Sequence, residues 1–165
     1  LGSINISSIL RQSKLLADYF LNLYKSKFDS GITILRPAFT YGPLMNEERM
    51  IPQFIKNLRK NRSLEIYHTK RKFALTCIND FLKVIFEEIK IKRKYYIINT
   101  VNEIIEKRRM VSIIHNHINS NCHLKYLDEQ ILEKPLSIDQ VKYESLIGRG
   151  KTSKFEENIK YLVGG

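Results

Sequence analysis

Lys14 is the first side chain in this sequence placed to do chemistry. Ile9, Leu16, Phe20 and Leu23 recur at helical spacing, so Lys14 projects from one end of an otherwise apolar helical stripe. A second stretch, I-T-I-L-R-P-A-F-T-Y-G-P (Ile32 to Pro43), reads as a strand, Ile32 to Leu35, that stops at Arg36-Pro37. A loop carrying Tyr41-Gly42-Pro43 follows. Helix, buried strand and polar loop at the strand's carboxyl end form the edge of a ligand crevice in an open α/β sheet.

Other clusters carry less. Gly148-Arg149-Gly150-Lys151-Thr152 looks like a phosphate loop, but such a loop needs Gly where Ser145 sits and a strand before it. His115, His117, Cys122 and His123 have the donor types of a metal site. His115 and His117 are i, i+2 on a helix and point to different faces, so no metal is expected. Asn5-Ile6-Ser7 and Asn61-Arg62-Ser63 match the glycosylation sequon, with nothing arguing for secretion.

The elements that must hold these groups follow from periodicity and punctuation. Leu1 to Ile6 reads as an entry loop, with Ser7 and Ser8 as N-caps of a helix running to about Lys27. Asp29-Ser30-Gly31 turns into the strand. A helix is expected from Ile51 to Lys60 with Pro52 in its first turn, then strands Leu64 to Tyr67 and Phe73 to Ile78 around a basic turn, His68 to Lys72. Asp80 is expected to cap a helix to Lys90, and Tyr95 to Asn99 to form a buried strand. Glu103 to Ile118 reads as a helix with Val111, Ile114 and Ile118 on one face, and Lys125 to Leu127 as a last strand. Pro135 begins a loop before helices Asp139 to Leu146 and Ser153 to Val163. No repeat or low-complexity segment appears.

Composition narrows the class. The 165 residues suit one domain, and 43% hydrophobic content supports a core and excludes global disorder. No apolar run approaches a membrane span and no signal peptide is visible. Two cysteines, Cys77 and Cys122, fit a reducing compartment without a disulfide framework. The expected location is cytoplasmic. The chain begins at Leu1 rather than Met, as expected of a piece of a longer protein. The net charge of +11 fits nucleic acid, an anionic membrane or phosphorylated substrates. Equally, it fits a composition rich in Ile, Lys and Asn, and the charges are spread along the chain without a nucleic-acid motif.

The motifs resemble the extended short-chain dehydrogenase/reductase family, the NAD-dependent epimerases and dehydratases of nucleotide sugars. The family's Y-x-x-x-K pattern and its following acid map onto Leu10, Lys14 and Asp18. L-R-P-x-x-x-Y-G-P maps onto Leu35, Arg36, Pro37, Tyr41, Gly42 and Pro43. R-M-I-P-Q-F-I (Arg49 to Ile55), L-E-I-Y (Leu64 to Tyr67) and I-N-D-F (Ile78 to Phe81) follow in order. Within the family the chain is most similar to UDP-glucuronate decarboxylases and dTDP-glucose 4,6-dehydratases. The resemblance spans nearly the whole chain but only the C-terminal half of such an enzyme.

The resemblance implies an α/β fold: a partial doubly wound, Rossmann-like sheet remnant with the active-site helix over 1–43, and a small α+β substrate-binding domain over 44–165. It implies NAD as cofactor and a UDP- or dTDP-linked sugar as substrate. Lys14, Arg36 and Pro37 fall at cofactor-binding positions, Lys14 also at a catalytic one, and Tyr41, Arg49, Tyr67 and Arg71 at substrate-binding ones. It also exposes departures. The family's catalytic Tyr is Leu10, which has no proton to exchange, and a positioned acid/base is worth about 10²–10⁴-fold in rate. Tyr19 and Tyr24 lie too far along the helix to replace it. Phe39 stands where the family often has Asn, and Phe73 near its phosphate-binding Arg. Arg71 or Lys72 offers a compensating cation without the same bidentate fork. No glycine fingerprint G-x-x-G-x-x-G occurs.

The expected product is therefore a C-terminal fragment, catalytically impaired and not binding NAD alone. One alternative is a non-catalytic partner associating as a homodimer, with an N-terminal half or with a full-length relative through the first helix. A basic nucleic-acid binder is the more remote alternative.

Overall fold

A computed structural model describes residues 6–28, 31–91, 95–127, 136–148 and 151–163, with backbone only for 6–8. In chain order the elements are α1 (Ile6–Lys27), β1 (Ile32–Pro37), β2 (Phe39–Tyr41), α2 (Met50–Arg59), β3 (Leu64–Tyr67), β4 (Lys72–Cys77) and α3 (Ile78–Lys90). Then come β5 (Tyr95–Thr100), β6 (Glu103–Glu106), α4 (Lys107–Ile118), β7 (Leu124–Leu127), α5 (Val141–Ile147), α6 (Phe155–Asn158) and α7 (Lys160–Val163). The expected entry loop before residue 6, the Asp29-Ser30 part of the first turn, the loop begun by Pro135 and the Arg149-Gly150 pair lie outside the described residues.

Three small sheets organise the chain. β1 and β5 pair in parallel, Ile32 opposite Tyr95 through Pro37 opposite Thr100. Strand alternation puts Leu35, Tyr96 and Ile98 on one face, where Val84 of α3 and Tyr143 of α5 close a core. The sheet thus draws strands from both sides of position 43. β2, β4 and β6 form a second sheet, β2 parallel and β6 antiparallel to β4. Over it packs the larger core, in which Ile51, Ile55 and Leu58 of α2 and Met110 and Ile114 of α4 surround Leu75. β3 and β7 pair in parallel at its side.

Several expected boundaries move, each for a local reason. β1 does not stop at Leu35 but runs through Arg36-Pro37, because Pro37 closes the strand at a position that needs no further donor. The expected loop then begins as β2. Ala38 N–H donates to Thr100 O at 3.3 Å and to Thr76 Oγ1 at 3.0 Å, so the chain passes extended from the first sheet to the second. Glu103 to Glu106 is strand rather than helix. Ile104-Ile105 are β-branched, Ile105 is buried, and the pairing of Phe73 with Ile105 outweighs local helix preference. The last helix breaks into α6 and α7. Gly42 is required at its site, since a Cβ there would clash with Ile78, which ties Y-G-P to I-N-D-F.

Asp80 does not cap α3, whose N-cap is Cys77. It lies 1% exposed in the first turn at the centre of a polar hub. Its carboxylate accepts from Asn102 Nδ2 and Ser153 Oγ at 2.5 Å, Ser153 N–H at 3.0 Å and Lys83 Nζ at 2.8 Å. Asn102 Oδ1 in turn accepts from Tyr143 O–H at 3.0 Å and Cys77 N–H at 2.9 Å. One carboxylate therefore joins α3, the β5–β6 turn, α5 and the segment leading to α6.

Asp18 binds Arg36 at 2.6 Å, and Lys25 Nζ sits 4.4 Å from the Tyr95 ring centroid. The stripe of Ile9, Leu16, Phe20 and Leu23 faces away from the chain; Leu16 is 54% and Phe20 59% exposed. No helix among the described residues is long and apolar enough to cross a membrane.

Candidate functional site

The carboxyl ends of β1 and β5 open into a groove of about 360 Å³, lined by Arg36, Pro37, Ala38, Asn99 and Val101 and closed by Ser137 to Asp139. Such strand ends are where open α/β sheets bind ligands. Asn99 Nδ2 donates to Asp139 O at 3.4 Å, and Asp139 Oδ1 accepts from Val141 N–H at 3.0 Å, so the covering segment is tied both to β5 and to the start of α5. Arg36 reaches Asp18 across the groove's edge. Lys14 lies one helical turn before Asp18 on the same face and is exposed. Leu10, a further turn back, is 61% exposed, so an apolar side chain stands in water at that position.

A second groove, about 400 Å³, runs from Ala38 past Phe39, Thr40, Met45 and Asn46 to Arg49. Ala38 lines both grooves, one at the sheet edge and the other running to the start of α2. Arg49 is exposed at its far end, and its guanidinium has no ion pair or hydrogen bond among the described residues. Beside it, Phe39 and Phe73 meet edge to face with centroids 6.3 Å apart, and the Arg71 guanidinium lies 5.2 Å from the Phe73 centroid. The two aromatic substitutions singled out in the sequence are thus one apolar unit.

The structure brings Arg36 and Pro37 to the first groove and Arg49 to the second, keeps Lys14 on α1 a turn from the Asp18–Arg36 pair, and puts Tyr41, Tyr67 and Arg71 outside both linings. Tyr41 is 1% exposed, edge-on to Phe155 at 5.1 Å, and its hydroxyl accepts from Asn158 Nδ2 at 3.4 Å. Burial pushes its phenol pKa far up, so its proton stays put at neutral pH. Tyr67 keeps an exposed ring and donates to Glu65 Oε2 at 2.7 Å; Lys107 Nζ donates to Tyr67 O at 2.8 Å. Arg71 is joined to the same corner, its carbonyl accepting from Lys107 N–H at 2.8 Å. Asn99 and Asp139 escaped sequence reasoning; the signal was an Asn near the end of a buried strand.

Two of the histidines lie against backbone carbonyls. His115 Nε2 lies 3.3 Å from Cys122 O, and His117 Nδ1 3.1 Å from Ile113 O. Among the described residues no group of three or more His, Cys, Asp or Glu is arranged to hold a metal ion.

Residues 3–86 match the model of the NAD dependent epimerase/dehydratase family. No curated protein sequence matches significantly. Among solved structures, UDP-glucuronic acid 4-epimerase from Bacillus cereus, in complex with UDP-glucuronic acid and NAD, is similar at TM-score 0.75 and 18% identity, over 92% of this chain and 50% of that one. UDP-N-acetylglucosamine 4-epimerase from Methanobrevibacter ruminantium, in complex with UDP-N-acetylmuramic acid, is similar at 0.74 and 21%, over 92% and 51%. dTDP-glucose 4,6-dehydratase from Bacillus anthracis, in complex with NAD, is similar at 0.75 and 17%, over 99% and 52%. The chain spans about half the length of these solved relatives.

Proposed function

The chain belongs to the NAD-dependent epimerase/dehydratase family, and from that premise we propose that it is the nucleotide-sugar-binding part of such an enzyme, impaired in catalysis on its own. The observation that carries this reading is the pair of neighbouring grooves that share Ala38, one at the carboxyl edge of β1 and β5 and the other reaching Arg49. In this reading residues 1–43 bring the active-site helix and residues 44–165 mostly the substrate-binding part.

The residues present do not fit the whole cofactor. Lys14 and Pro37 offer contacts at the sheet edge, but Arg36 is already bound to Asp18, and the sequence holds no glycine-rich strand-to-helix turn to cradle a pyrophosphate. What the chain's own residues do is bind. The free Arg49 guanidinium suits a phosphate of a UDP- or dTDP-linked sugar. Phe39, on the second groove's lining, and Phe73 against it present a nonpolar wall to the ligand. Arg49→Ala is expected to weaken binding of a UDP-sugar about tenfold or more, read by calorimetric titration; unchanged affinity would remove Arg49 from the site.

Leu10→Tyr is expected to leave turnover of UDP-glucuronate undetectable. The phenol would regain a proton to exchange, yet the cofactor's phosphate cradle is still lacking, as are the polar groups displaced by Phe39 and Phe73. Robust turnover by the single variant, followed by chromatography of the sugar nucleotide, would show that Leu10 alone disables the chain.

The exposed apolar stripe of α1 favours a second reading, a non-catalytic subunit that binds a full-length relative. Co-purification of that relative with this chain, without any gain in turnover, would select it.

A further inference from the structure

A third groove, of about 440 Å³, lies along the first turns of α4 and shares no residue with the other two. Glu106, Arg108, Arg109, Ser112, Ile113 and Tyr126 line it. α4 opens with Lys107-Arg108-Arg109, three cations where a helix dipole favours anions, and has no acidic residue in its first turn. The N-cap residue, Glu106, makes no cap hydrogen bond. The arrangement costs helix stability, and a local rule broken in this way marks a functional position.

The cations are also aimed. Arg108 lies 4.7 Å from the Tyr126 ring centroid, which fixes the plane of its guanidinium. The Arg109 and Ser112 side chains have no ion pair or hydrogen bond among the described residues. Behind them Lys107 is held to Tyr67 O; burial first, and then the nearby Arg71 charge, draw its pKa down. Glu106 is the one acid on the lining. Guanidinium forks match phosphoryl oxygens in geometry and charge, and the groove's volume lies in the range of small-molecule sites.

We propose that the α4 groove binds the phosphoryl group of a small phosphorylated molecule, separately from the two grooves assigned to the nucleotide sugar. Arg108 and Arg109 hold its oxygens and Ser112 donates a further hydrogen bond.

Equilibrium dialysis of the chain against glucose 6-phosphate tests this. The expected result is saturable binding of about one molecule per chain, weakened at least tenfold by Arg109→Glu. The same variant is expected to raise Tm, because a carboxylate in the first turn suits the dipole. Lys60→Glu, an equal charge change elsewhere, and Arg49→Ala, in the second groove, should both leave binding unchanged. Inorganic phosphate should compete only at tenfold or higher concentration. Unsaturable binding, an equal loss in Lys60→Glu, or a fall in Tm for Arg109→Glu would overturn the proposal. So would inorganic phosphate competing equally, or a short single-stranded DNA displacing glucose 6-phosphate at lower concentration than the unlabelled sugar phosphate. Loss of binding in Arg49→Ala would place the ligand in the second groove instead.

Discussion

Asp80→Ala is expected to destabilise the chain by about 3–5 kcal/mol, the range for removing one partner of a buried ionic and hydrogen-bonded set. Asp80 is essentially inaccessible, and its loss removes the acceptor of the Ser153 hydroxyl and N–H and leaves Asn102 Nδ2 only longer bonds to Ser153 O at 3.4 Å and Oγ at 3.5 Å. Domains of this size have about 5–15 kcal/mol in total, so the variant should be largely unfolded in modest urea. Asp80 also predicts an acid limit. Burial alone would raise its pKa, but the bonds from Lys83 and Ser153 hold it below the usual carboxylate range. A folded pKa below the unfolded one gives stability that is full above the unfolded value and lost as pH falls through the folded value. Urea midpoints should therefore drop on acidification below about pH 4 in the parent, and Asp80→Ala should flatten that drop. A loss under 1 kcal/mol at pH 7 would show that the hub is dispensable.

The second large effect is association through α1. Eight large apolar or aromatic side chains are exposed on it: Ile9, Leu10, Leu15, Leu16, Tyr19, Phe20, Leu23 and Tyr24. Full burial of such a side chain is worth about 1.5–3 kcal/mol, so completing a half-exposed one gives about 1 kcal/mol. Two copies bury up to sixteen of them, roughly 16 kcal/mol gross, less association costs of about 4–15 kcal/mol. Self-association is therefore expected at tens to hundreds of micromolar, and tighter binding to a surface that buries more, such as an N-terminal half of a relative. The double variant Leu16→Glu/Phe20→Glu should be monomeric by light scattering. In the parent, amides of α1 and β1 should exchange faster than those of residues 51–118. A parent monodisperse as a monomer, with α1 fully protected, would contradict this.

Much of the fold was legible because its signals are local. β3 ends where L-E-I-Y ends, and α2 (Met50–Arg59) matches the expected Ile51 to Lys60 to within a residue at each end. The resemblance carried by Lys14, Arg36-Pro37 and Tyr41-Gly42-Pro43 agrees with the family match over residues 3–86. What stayed hidden depends on partners distant in sequence. β6 reads as helix until β4 is seen opposite it. Asp80 reads as a cap until Asn102 and Ser153 converge on it. Tyr41, polar in sequence, fills a core position against Phe155, a residue far down the chain. The meeting of Phe39 and Phe73 follows from the β2–β4 pairing, which no periodicity in either strand announces.

The central proposal is that the chain binds a nucleotide sugar but does not bind NAD on its own. Calorimetric titration of the same preparation with UDP-glucuronate and, separately, with NAD tests it most directly. The account predicts saturable binding of the sugar nucleotide and no heat of binding for NAD. Micromolar NAD binding, or no binding of UDP-linked or dTDP-linked sugar by a folded sample, would contradict it.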